Sequence, residues 1–310
     1  MIRITLDLGT NTCLMLIVEV DPKTSKILKV LHDESRIVRL GQGVDQNRKF
    51  HPDAMQRALT ALLEYSSLVK QLGIDPRSAL CVATSQARDA QNSAEFFKEV
   101  EHKAGFRFQV ISGEDEARLT FLGALLPGMS PEHAAVIDIG GGSTEIISLH
   151  EKKSIDVGSV RYTERFLHSD PVTDEEFWQC QESIDQELEV FLAWRKSLKQ
   201  APQVVAVAGT VTTLAAWYMG LNRFDAQKID GLTLTRGDIH RMVEELKWRN
   251  TQERRRLPCM EPMRADVILA GAMILWRIME LLDLPECVIS TRGLRYGALS
   301  LNAELISHSS

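Results

Sequence analysis

The chain has 310 residues, 44% hydrophobic and 25% charged, which is ordinary globular composition with length for about two domains. A net charge of −6 and a pI of about 5.8 speak against a bulk basic surface for nucleic acid, so an anionic ligand has to be met by local donors. Five scattered cysteines without C-x-x-C spacing and eight histidines without H-x-x-x-H spacing speak against disulfides and zinc, and for a reducing compartment.

The start, Met1 to Asp7, reads as a strand and not as a signal peptide, since it has no basic n-region and no long apolar stretch. The longest apolar run, Val267 to Trp276, is too short to span a bilayer. A cytoplasmic protein with no membrane partner is expected. Strands are predicted at Ile2–Leu6, Leu14–Val20 and Ile27–Leu31, with a turn at Asp21-Pro22-Lys23. Gly41 to Pro52 reads as a loop. Pro52 and Asp53 open a helix whose apolar stripe, Leu59, Leu62, Leu63, Val69 and Leu72, stops at Gly73. A strand at Leu80–Ala83 leads through Thr84-Ser85 into one helix running past Phe97 and Val100. A strand at Phe108–Ile111 and a helix from Gly113 to Leu125 follow.

Pro127-Gly128-Met129-Ser130-Pro131 reads as a linker, and beyond it the pattern restarts with strands over 134–138, 145–149 and 154–158. Thr173-x-x-Glu176 is a capping box before a helix to Lys199. Next come a strand at Val204–Ala208, a helix over 211–219 and a helix from Thr235-x-x-Asp238 to about Lys247. A buried helix at Val267–Leu282, a strand at Cys287–Ser290 and a last helix over about 293–306 complete the chain. The two halves form a weak internal repeat, which predicts an α/β protein of two related domains, 1–126 and 127–310.

The chemistry sits where the repeat is clearest. Asp7-Leu8-Gly9-Thr10-Asn11-Thr12 closes the first apolar run, and Asp138-Ile139-Gly140-Gly141-Gly142-Ser143-Thr144-Glu145 closes another. Each is a strand, an Asp, a glycine turn with hydroxyls and a second strand. Glycines let the backbone approach a ligand, and successive N–H groups in a tight turn form an anion-binding nest. An Asp at the strand end can hold a hard cation. A single such turn is also what an ordinary hairpin shows; three glycines in a row are more than a hairpin needs. Two further signals are Thr84-Ser85-Gln86-Ala87-Arg88, hydroxyls and an Arg at a strand-to-helix junction, and Glu114-Asp115-Glu116 at a helix start. The first also fits an N-cap with a solvated Arg, and the second also fits first-turn acids complementing the helix dipole. There is no G-x-x-x-x-G-K-[ST], no Rossmann spacing at Gly140 and no G-x-S-x-G elbow.

In this order the motifs resemble the Ppx/GppA phosphatases, exopolyphosphatases and guanosine pentaphosphate phosphohydrolases. The carrying residues are Asp7-x-Gly9-Thr10-Asn11-Thr12, Thr84-Ser85-x-Ala87-Arg88-Asp89-Ala90, Ser112-Gly113-x-x-Glu116-Ala117-Arg118 and the Asp138–Glu145 stretch. Later matches are Gly209-Thr210-x-Thr212-Thr213-Leu214-Ala215, Arg264-Ala265-Asp266 and Gly293-Leu294-Arg295-x-Gly297. Family patterns often carry Ser at the first turn, where this chain has Thr10 and Thr12. The resemblance implies two related actin/hexokinase/Hsp70-like (ribonuclease H-like) domains with an interdomain cleft, and a last helix that packs back on the first domain. It implies Glu116 as general base and Arg88 near the reacting phosphoryl. Gly9, Thr10, Asn11, Thr12, Gly140, Gly141, Gly142, Ser143 and Thr144 would bind phosphate, and Asp138, Glu145 and Asp7 would hold Mg²⁺ or Mn²⁺. Gly209, Thr210 and Arg264 would lie on a nucleotide side. The implied reaction is release of terminal orthophosphate from inorganic polyphosphate, pppGpp or both, with a link to the stringent response and a homodimeric state. At this length the chain resembles the short form without a C-terminal HD-type domain. The competing readings are a kinase of the same superfamily and a non-catalytic alarmone-binding module.

Overall fold

A computed structural model describes residues 1–24, 26–197 and 202–300. The chain divides into two compact units: Met1–Gly123 with the chain from Leu294 onward, and Ala124–Gly293.

The first unit runs β1 (Ile2–Leu8), β2 (Thr12–Val20), β3 (Ile27–Ile37), α1 (Val44–Asn47), α2 (Pro52–Gln71), β4 (Leu80–Ala83), α3 (Ser85–Asp89), α4 (Ser93–Ala104), β5 (Phe108–Val110) and α5 (Gly113–Ala124). Its sheet has the order β3-β2-β1-β4-β5, an antiparallel meander extended by two parallel strands. Leu6, Leu8, Met15 and Ile17 pack with Leu62 and Tyr65 of α2 and Phe96 of α4 in one buried core. The second unit runs β6 (Ala134–Ile139), β7 (Thr144–Ser148), β8 (Lys152–Ile155), α6 (Ser159–Phe166), α7 (Asp174–Ser197), β9 (Gln203–Val207), α8 (Ala208–Tyr218), α9 (Ala226–Ile229), β10 (Thr233–Thr235), α10 (Arg236–Trp248), α11 (Thr251–Arg254), α12 (Ile268–Leu281) and β11 (Glu286–Ile289). Its sheet order is β10-β11-β9-β6-β7-β8. Within it β8-β7-β6-β9-β11 repeats the first sheet strand for strand, with β9 parallel to β6 and β11 parallel to β9. The apolar α12 is buried from Ile268 to Leu275 and again at Ile278 and Met279, with Arg277 and Glu280 on its outer edge.

The predicted capping box at Thr173 forms, and the helix start at Thr235 proves to be a second one. Thr173 and Glu176 exchange N–H bonds at 3.1 and 3.2 Å, and Thr235 and Asp238 do the same at 3.1 Å. Several expectations are corrected. The Gly41–Pro52 loop contains the short α1. The single helix expected after Ser85 is two, because Asn92 leaves the helix to bond Phe50 N at 2.8 Å and Phe50 O at 3.2 Å. The strand expected over 154–158 is β8, over 152–155, since Val157 and Gly158 turn into α6. β10 was not foreseen; its three residues are ordered by pairing with β11. The last helix is α13 (Leu294–Gly297) with a 3₁₀ turn at Ala298–Ser300; its expected continuation over 301–306, like Lys199 at the end of α7, lies outside the described residues. In the first unit, Arg295 pairs with both Asp33 oxygens at 2.9 and 3.1 Å, and its carbonyl accepts from Thr5 Oγ1 at 2.8 Å.

Candidate active site

Each sheet presents its glycine turn at the end of its central strand, and the two turns are built alike. Gly9 N donates to Thr12 O at 2.9 Å, and Gly140 N to Ser143 O at 3.0 Å. None of these turn glycines adopts left-handed backbone. Clearance is supplied from outside the turn, by the glycine that faces it. A Cβ on Gly158, at the start of α6, would lie 2.3 Å from Gly141 O.

The carbonyls of both turns are tied down by a later segment. In the second unit, Gly140 O accepts from Ser159 N at 2.9 Å, and Gly141 O from Val160 N and Arg161 N at 3.0 Å. In a trans peptide the N–H points opposite to the carbonyl before it. The Gly141 and Gly142 N–H groups therefore face away from α6, two in succession, as an anion nest requires. In the first unit, Thr10 O accepts from Gly41 N at 2.8 Å, and Asn11 O from Val38 N at 2.8 Å and Arg39 N at 3.0 Å. The Asn11 and Thr12 N–H groups face away in the same manner. Arg39 takes left-handed backbone, φ 50°, between these two donors and the Gly41 N–H. These tethering segments, 38–41 and 158–161, were missed in the sequence. The dipeptide Gly158-Ser159 after a strand was the available signal.

Beside the first turn, α3 and α5 bring Arg88 and Glu116 together. Arg88 Nη1 donates to Glu116 Oε2 and to Ile111 O, both at 2.9 Å. The three acids of α5 separate cleanly. Asp115 belongs to the cap, bonded with Ser112 Oγ through both its carboxylate and its N–H at 2.9 and 3.1 Å. Glu114 is exposed. Glu116 turns inward to Arg88 and lies close enough to Asp7 to act on its charge. Asp7 is half-buried as a residue, yet its Oδ1 is fully buried with no hydrogen-bond partner. Burial, and next the negative charge of Glu116, push its carboxyl up to about 7, against a smaller opposing pull from Arg295. Thr10 Oγ1 meets Ser85 Oγ at 3.2 Å, which adds a hydroxyl pair to the same place.

In the second unit, Asp138 and Glu145 are direct cross-strand partners of β6 and β7, so both project from one face. Ser154 Oγ donates to Glu145 Oε1 at 2.8 Å. The Thr144 hydroxyl donates to Val157 O at 2.5 Å and is committed to the fold. Gly209 and Thr210 begin α8. Arg264 is buried, with its guanidinium where a Cβ on Gly209 would stand, 1.7 Å from Nη1. Among the described residues no group of three or more His, Cys, Asp or Glu side chains forms a metal-holding cluster. Mg²⁺ does not require one: it keeps several waters and takes one or two carboxylates together with substrate phosphates. The buried, unbonded Asp7 Oδ1 fits that pattern on its own, and so does the Asp138–Glu145 pair on one face of β6 and β7.

The repeated sheet, the paired glycine turns and the Arg88–Glu116 couple define a phosphoryl-handling α/β protein, and the chain belongs to the Ppx/GppA phosphatase family, whose model matches residues 16–304. It is similar to Exopolyphosphatase 2 of Mycobacterium tuberculosis, 38% identical over 280 residues that cover 87% of each protein. The Ppx/GppA phosphatase of Aquifex aeolicus, in its type II variant, is 30% identical, with a TM-score of 0.72 and 100% of both chains covered. An exopolyphosphatase-like protein is also 30% identical, with a TM-score of 0.84, covering 96% of this chain and 97% of that one. The family match begins after the first turn.

Proposed function

We propose that the protein is an exopolyphosphatase that releases terminal orthophosphate from inorganic polyphosphate, with pppGpp, which ends in the same phosphoanhydride, as a second substrate. The observation that carries this reading is the inward position of Glu116, held by Arg88 beside the first glycine turn and Asp7. Hydrolysis of a phosphoanhydride asks chiefly for charge neutralisation, an aligned water and positioning. The two turns bind phosphoryl oxygens through backbone N–H groups and hydroxyls. Glu116 orients the attacking water and takes its proton. Arg88 engages Glu116 and Ile111 through Nη1; a guanidinium has five N–H donors, and the others can meet a phosphoryl oxygen. Asp7, and separately the Asp138–Glu145 pair, are the carboxylates that would hold Mg²⁺ or Mn²⁺, which would neutralise charge on the phosphates.

The test is orthophosphate release from long-chain polyphosphate, pppGpp and ATP side by side with Mg²⁺, with ADP formation followed separately against a panel of sugars. The reading expects release from polyphosphate without any acceptor. ADP formed only when a sugar is present, with no release from polyphosphate, would replace it by the kinase reading.

A further inference from the structure

Gly41 stands outside the motifs and Gln86 fills the open position of Thr84-Ser85-x-Ala87-Arg88, yet both press on the hydroxyl pair beside the first turn. Gly41 N donates to Thr10 O at 2.8 Å, so the two backbones are in register. A Cβ on Gly41 would lie 2.4 Å from Thr10 Cγ2, 2.6 Å from Gln86 Cγ and 3.0 Å from Gln86 Cδ. The space left by the missing side chain is thus occupied by the Thr10 methyl and the Gln86 stem together. Gly41 does not have left-handed backbone, so clearance is what the position demands. Gln86 is 4% exposed, and its Oε1 is buried with no hydrogen-bond partner. A buried unpaired amide oxygen costs stability and contributes nothing to a merely structural wedge.

The consequence lies in the rotamer of Thr10. A β-branched side chain has few χ1 choices. With its methyl seated against Gly41 and Gln86, Thr10 directs Oγ1 to Ser85 Oγ, 3.2 Å away. We infer that Gly41 and Gln86 are positioning residues that lock the Thr10 rotamer, and that the Thr10–Ser85 hydroxyl pair so fixed sets the affinity for the substrate's phosphoryl group. The inference rests on the proposed phosphoanhydride hydrolysis and adds to it the determinants of substrate binding at the first turn.

The test is steady-state hydrolysis of polyphosphate by Gly41→Ala, Thr10→Ser, Gln86→Ala and Gln86→Met, with thermal melting of each. Loss of one well-placed hydrogen bond to a charged group corresponds to about a tenfold or larger loss of affinity. Gly41→Ala should raise KM by about that factor while kcat stays within about threefold. Thr10→Ser keeps the hydroxyl but frees its rotation, and should raise KM in the same direction; it removes one methyl, so it reports even if Gly41→Ala does not fold. Gln86→Ala should weaken binding, and Gln86→Met, which restores the stem without the amide, should recover part of it. A merely structural role would lower the melting temperature with KM unmoved. Wild-type KM in both Thr10→Ser and Gln86→Ala overturns the inference and leaves the proposed function standing. Absence of wild-type turnover overturns both.

Discussion

Asp7 carries a charge that the first unit accommodates poorly without a cation, and Asp7→Asn isolates that cost. Its carboxyl is raised from an ordinary 3.8 to about 7, chiefly by burial and next by Glu116. At 1.36 kcal/mol for each pH unit, the ionised form is held in the native protein at a penalty of at most about 4 kcal/mol. The residue is half-buried, so solvent screens part of this, and about 2 kcal/mol is the working expectation. The sign follows from proton binding. Between pH 3.8 and about 7, the unfolded chain has lost the proton that the native protein keeps, so stability falls as pH rises through this window. Below it the carboxyl is neutral in both states and the contribution is fully present; above it the whole penalty applies. Asn mimics the protonated form at every pH. In metal-free protein, urea unfolding should therefore show the smallest difference between wild type and Asp7→Asn at the acid end of this window, near pH 4.5. By pH 8 the variant should be ahead by about 2 kcal/mol, several degrees in melting temperature for a unit of this size. Added Mg²⁺ should stabilise wild type more than the variant, and the variant should lose phosphatase activity. Parallel stability curves from pH 4.5 to 8 would refute the buried-charge reasoning.

Three further outcomes follow from the same geometry. Chelation by EDTA should abolish phosphate release, and Mg²⁺ or Mn²⁺ should restore it; full activity in chelator would show that Asp7, Asp138 and Glu145 have another task. Gly158→Ala places a Cβ 2.3 Å from Gly141 O, a backbone atom that cannot step aside. It should cost on the order of 1–3 kcal/mol in unfolding free energy and raise KM for polyphosphate as α6 is pushed off the turn; an unchanged KM would show that the α6 tether does not set the nest. Ser112→Ala removes the cap bonded to Asp115 and should lower stability by about 1 kcal/mol while turnover stays within a few-fold; a collapse of turnover would move the catalytic carboxylate away from Glu116.

The legible parts of this chain were those specified locally. The apolar runs into Asp7 and Asp138 showed the central strands β1 and β6, and the glycine turns, the Thr173-x-x-Glu176 capping box and the helix start at Thr235 were written in short spacings. Glu114, Asp115 and Glu116 face different ways because neighbouring helix residues point about 100° apart, and of the three it is Glu116 that bonds Arg88. What was not legible depends on distant partners. Asn92 divides α3 from α4 through its bonds to Phe50, forty-odd residues away in sequence. The tethering of turn carbonyls by Val38, Arg39 and Gly41, and by Ser159, Val160 and Arg161, is backbone bonding with no side-chain signature. The unpaired Asp7 Oδ1 and the buried Gln86 are properties of packing, which periodicity does not report.

The central claim, that Glu116 serves as the base in phosphoanhydride hydrolysis, is tested most directly by orthophosphate release from polyphosphate by wild type and Glu116→Gln in the same Mg²⁺ buffer, with substrate binding measured in parallel. Gln keeps the size and reach of the side chain and removes the proton acceptor. The account predicts a loss of about 10²–10⁴ in turnover with binding retained, and a far smaller loss for Glu114→Gln and Asp115→Asn. Wild-type turnover in Glu116→Gln, or an equal collapse in all three variants, would contradict it.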